Sequence, residues 1–98
     1  MSIKFTQFVR PDGRRKTVWY DAPDDLNRRA LVLHLSGIHF GIEILPNQTL
    51  FLMCFRKGAE EPLCSRLCTA VRDDKVGVLE AVRKLVADAE SILARSGG

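Results

Sequence analysis

Residues 50–55, Leu50-Phe51-Leu52-Met53-Cys54-Phe55, place six apolar side chains in unbroken succession. The run is far shorter than the roughly 18 residues of a membrane span. A strand points alternate side chains to opposite faces. An apolar strand without alternation therefore needs cover on both faces. Any fold for this chain must put residues 49–55 inside a sheet, with one parity packed in a core. The other parity, either Leu50, Leu52 and Cys54 or Phe51, Met53 and Phe55, is left needing a cover of its own.

The surrounding pattern supplies the rest of the sheet. Residues 3–9 and 16–20 are rich in β-formers, and Pro11-Asp12-Gly13 between them is a turn signal. They read as a β-hairpin with a basic tip. Asp21-Ala22-Pro23-Asp24-Asp25 has the composition of a helix start. Asp21 or Ala22 is placed at the N-cap, Pro23 in the first turn, and the two acids at the positive helix end. That helix runs to about Leu35, with Gly37 placed to close it. Its Ala30-Leu31-Val32-Leu33 run is apolar on more than one face, so the helix is either well buried or touches a partner.

Residues 38–44 alternate, with Ile38, Phe40, Ile42 and Ile44 facing a core and His39, Gly41 and Glu43 facing away. Residues 63–69 form a further strand. Asp73 and Asp74 open a second helix. Its apolar stripe, Val78, Leu79, Val82, Leu85, Val86, Ala89, Ile92 and Leu93, recurs at helical spacing. The expected fold is α+β: an antiparallel sheet in the order β-β-α-β-β-β-α, with two helices packed on one face. The chain is read as a single domain over residues 1–96, followed by a disordered tail at residues 97–98.

At 98 residues the chain fits one domain. A domain of this size buries about two thirds of its unfolded surface, which leaves little room for a deep catalytic pocket. No membrane span and no signal-peptide core is expected, so the location read from the sequence is cytoplasmic. The cysteines number three, an odd count, which favours free thiols over a disulfide scaffold. A formal net charge of +3 falls short of the bias of a dedicated nucleic-acid binder.

The opening stretch from Phe5 to Lys16 contains Phe5-Thr6-Gln7-Phe8-Val9-Arg10-Pro11-Asp12-Gly13-Arg14-Arg15. Asp21-Ala22-Pro23 follows, and later Gly37-Ile38-His39-Phe40-Gly41-Ile42-Glu43-Ile44-Leu45. Together these resemble a group of short bacterial and phage-associated proteins of unknown function. Those proteins also place an FxQFxRPDGRR hairpin before an Asp-x-Pro helix start and a GxxFxxExL strand. The resemblance covers the first half of the chain, and the segment from Cys54 to Cys68 departs from it. It implies this fold and a bacterial setting, and it assigns no activity and no site residues.

The chemistry-bearing residues form no recognised catalytic pattern. There is no Cys-x2-Cys pair, and Cys64 and Cys68 on one strand would stand roughly 13 Å apart, too far to share a metal. By parity His39, Glu43 and Arg66 point away from the core, and Cys64 or Cys68 on that same face beside His39 is the one arrangement that could make a thiol nucleophile. No glycine-rich phosphate loop has the strand-turn-helix setting it needs. Neither a metal nor a cofactor is expected, nor enzymatic activity.

The candidate functional residues are basic and aromatic. Residues 1–20 hold five cations, Lys4, Arg10, Arg14, Arg15 and Lys16, against Asp12 alone. Trp19 could stack on a base, and Arg28 and Arg29 would extend the patch from the first helix. Leu50, Phe51, Leu52, Met53 and Phe55 are the candidate interface. The expectation is a non-catalytic module acting through protein contacts, with a partner protein or with itself as a homodimer. Nucleic-acid binding through the basic hairpin tip is the alternative.

Overall fold

The computed structural model describes residues 2–9, 14–47, 49–71 and 74–96. The elements follow the expected order: β1 Ser2–Val9, β2 Arg14–Asp21, α1 Asp24–Leu35, β3 Ile38–Ile44, β4 Thr49–Arg56, β5 Cys64–Val71 and α2 Lys75–Ser96. The strands form one five-stranded sheet in the order β2-β1-β3-β4-β5. The expectation of an antiparallel sheet is corrected at one seam. β1 pairs parallel with β3, while β1–β2, β3–β4 and β4–β5 are antiparallel.

The cause lies in α1. Asp21, the last residue of β2, pairs with Ser2 at the start of β1. β3 runs parallel to β1 and so begins at that same end of the sheet. The helix therefore starts and finishes at one end and crosses the strands instead of following them. Its 12 residues, about 18 Å long, suffice to pass β1 and reach β3. The seam it bridges is short. Among the described residues only Thr6↔Gly41 and Gln7↔Ile42 are paired across it.

Local signals set the helix ends. The N-cap of α1 is Pro23, a residue or two later than read, and no side chain caps it. Instead the Asn27 amide donates to the Pro23 carbonyl at 3.0 Å and its Nδ2 to the Ala22 carbonyl at 2.7 Å. Gly37, at φ +89°, turns the chain out of the helix as expected of a residue free of Cβ strain. At α2 the Asp74 carboxylate accepts the Gly77 amide at 3.1 Å. Asp73 lies outside the described residues.

Both helices bury their apolar stripes in one cluster on one side of the sheet. Phe5, Ile38, Ile42, Leu50, Leu52 and Cys54 meet Leu26, Ala30 and Leu33 of α1 and Val78, Val82, Leu85, Val86 and Ala89 of α2. Each large side chain fully buried here contributes about 1.5–3 kcal/mol. The parity of β4 is thereby settled. Leu50 and Leu52 are fully buried beneath the helices, which removes them from the candidate interface. No helix among the described residues is long and apolar enough to cross a membrane.

Candidate binding face

The face opposite the helices carries Lys4, Thr6 and Phe8 from β1, Arg15, Thr17 and Trp19 from β2, and His39, Gly41 and Glu43 from β3. β4 adds Phe51, Met53 and Phe55, and β5 adds Leu67, by the same register. No helix lies over it. Its centre is Gly41. A Cβ there would stand 2.8 Å from Phe8 Cε2 and 2.9 Å from Phe55 Cε2. Without it the two rings close over β3, their centroids 5.8 Å apart at 68°. That edge-on geometry suits the aromatic quadrupoles. A lone glycine inside an alternating strand was the available signal for such a close approach.

A groove of about 740 Å3 runs over this floor. Phe8, Met53 and Phe55 form its base. Arg14 and Arg15 wall one side, and Gly58, Ala59, Glu60 and Pro62 from the loop after β4 stand on another. The Arg15 guanidinium lies 5.6 Å from the centre of the Phe8 ring, a cation–π placement. The floor is sheltered at its centre, with Met53 only 7% exposed, and open toward its ends, where Trp19 is 60% and Leu67 55% exposed.

The sequence-selected cations do not form one patch. Arg14, Arg15 and Lys16 are exposed on β2, and Arg28 is exposed on α1. Arg29 is committed elsewhere: its Nε and NH2 both donate to the Glu90 carboxylate of α2, the shortest contact 2.6 Å. That bond, the largest cause, raises the arginine's pKa further. Arg10 lies outside the described residues, as do Pro11, Asp12 and Gly13 of the tip. Among the described residues the α1 run leaves Leu31, Val32 and Leu35 exposed, beside the buried Leu26, Ala30 and Leu33.

The thiol–imidazole arrangement is not formed. Cys64 and Cys68 of β5 lie on the helix side, as does Arg66, whose guanidinium pairs with Asp88 of α2 at 3.0 Å. His39 points from the other face. The expected parity of Arg66 is corrected, because β5 enters the ladder with Cys64 opposite the buried Cys54. All three cysteines are unbridged. Burial, and next the neighbouring Cys64, push the Cys54 thiol far above the usual range, and burial raises Cys64 as well.

His39 instead meets His34, the rings 5.5 Å apart at 85°. The pair lines a second cavity of about 350 Å3, together with residues of β1 and α1. The sequence showed each histidine separately. Their meeting is set by the Ser36–Gly37 turn that carries the end of α1 into β3. Comparison with family models, curated proteins and solved structures finds no match to this chain.

Proposed function

We propose that the chain is a non-catalytic binding module that docks a protein on the open face of its sheet, a second copy of itself in the first instance. The observation that carries this reading is the aromatic floor opposite the helices, where Phe8 and Phe55 close over Gly41. An apolar centre with an arginine-containing polar rim is the anatomy of a protein interface. Five strands of seven or eight residues present a face of roughly 600 Å2, and two such faces bury roughly 1,200 Å2. That is the lower edge of a specific interface. Two-fold pairing is the commonest closed solution. The resemblance of the first half to small phage-associated proteins supports a docking role by analogy.

Sedimentation at micromolar concentration tests it. The wild type is expected to dimerise, Phe55→Glu to be monomeric, and Val32→Glu, which changes the helix layer, to behave as wild type. A wild type that stays monomeric to millimolar concentration ends the self-docking reading. Arg15 against Phe8 and the exposed Trp19 favour a second reading, a single-stranded nucleic acid stacked on the same face. Salt-dependent binding of a labelled oligonucleotide, weakened and with a flatter salt slope in Arg14→Ala with Arg15→Ala, would select it.

A further inference from the structure

We infer that the cleft between β1 and β3 is a binding site for a small apolar anion, of the class of short-chain fatty carboxylates. The inference rests on the lining of this cavity, whose rim borders the open face at Thr6 and His39. Two paired positions hold β1 to β3, at Thr6 and Gln7. Just before those positions the two strands and α1 together line one cavity. The opening has a volume of about 350 Å3. That is the low end of the roughly 300–1,000 Å3 typical of ligand pockets, and it limits the occupant to a short chain or one small ring system.

The walls state the chemistry. Ile3 and Phe40 flank the gap from the two strands, and Ala30 and Leu31 close it from α1. Trp19, beside Lys4 in the β1–β2 register, lies over its side. At the mouth stand Lys4, His34 and His39. Lysine supplies a positive charge and donors only, and each imidazole supplies an N–H in either protonation form. Among the described residues no aspartate or glutamate lines the cleft. Asp21 at the end of β2 accepts the Ser2 hydroxyl at 2.7 Å and is not among the lining residues. The polar remainder is small: Ser2, Thr6 and Asn27, whose Nδ2 is held by the Ala22 carbonyl. An apolar slot with donors gathered at one end recognises an aliphatic tail ending in a carboxylate. A cation would meet Lys4 unfavourably, and a neutral chain would forgo the donors.

Trp19 is the chain's single tryptophan, so its emission reports on the cleft. Octanoate, octanol and octylammonium are titrated into the intact protein. Octanoate is expected to give a saturable blue shift, with octylammonium at least about fivefold weaker, the scale of an exposed charge contact. Lys4→Glu should weaken octanoate by a similar factor. Val76→Glu, an exposed change on α2 outside both sites, should leave it unchanged, while sedimentation reads docking separately. Backbone amide shifts on octanoate addition should map to residues 2–6 and 30–40. Equal binding of octylammonium, or shifts centred on Phe8 and Phe55, or no response at millimolar octanoate, would each overturn the assignment.

Discussion

Gly41 is where one missing atom shapes a whole face. Its absent Cβ is the space into which Phe8 and Phe55 close. Gly41→Ala forces two packed ring edges apart, an overpacking change expected to cost about 1–3 kcal/mol. Urea unfolding should show the loss, and near-ultraviolet circular dichroism the altered ring pair. Cys54 makes a second prediction at this scale. Burial holds its pKa well above that of an unfolded thiol, so the folded chain keeps a proton that the unfolded chain releases. This contribution is intact below an ordinary thiol pKa of about 8.5 and declines above it, by up to about 1.4 kcal/mol per pH unit. Comparing urea midpoints at neutral and alkaline pH should give a steeper fall for wild type than for Cys54→Ala. Neither environment was written in single residues. The run of residues 50–55 showed that one parity faces a core and left open which, because parity is decided by the distant helices.

Between elements, the two helices are joined by ion pairs that the sequence did not mark. Arg29 reaches Glu90 at 2.6 Å and Arg83 reaches Asp25 at 3.1 Å. Arg29 and Glu90 are each more than a third exposed at the side chain or close to it, at 35% and 39%, so solvent screens them. A double-mutant cycle on Arg29 and Glu90 should give a coupling of about 0.5–1 kcal/mol, shrinking with salt. The stripe from Val78 to Leu93 was legible because helical spacing is a local code, and α2 follows it. The hairpin and the alternation of β3 were legible for the same reason. The parallel seam was not. It joins strands separated by a hairpin and a helix, and nothing within either strand distinguishes a parallel neighbour from an antiparallel one. With the seam went the cavity, whose lining joins β1, β3 and α1. Arg29 was read as a phosphate contact because a surface cation carries no sign of the carboxylate it will meet.

At the scale of the molecule the layers are unequal. One side of the sheet is closed by both helices around a continuous core. The other bears aromatic rings and arginines, bordered among the described residues by the loop after β4. The self-docking reading centres on Gly41 and the anion cleft on the starts of β1 and β3, and the two meet at Thr6 and His39. The seam has a further consequence, in time instead of space. β3, β4, β5 and α2 assemble from neighbours in sequence, and β1 with β2 can zip on its own. Two positions pair across the seam, so β1 and β2 are expected to open together and ahead of the central strands. Native-state hydrogen exchange should find the amides of β1 and β2 opening together, at a lower free energy than those of β4. Octanoate, by bridging β1 and β3, should slow that opening. The hairpin is then the part that detaches first when the molecule is warmed or pulled.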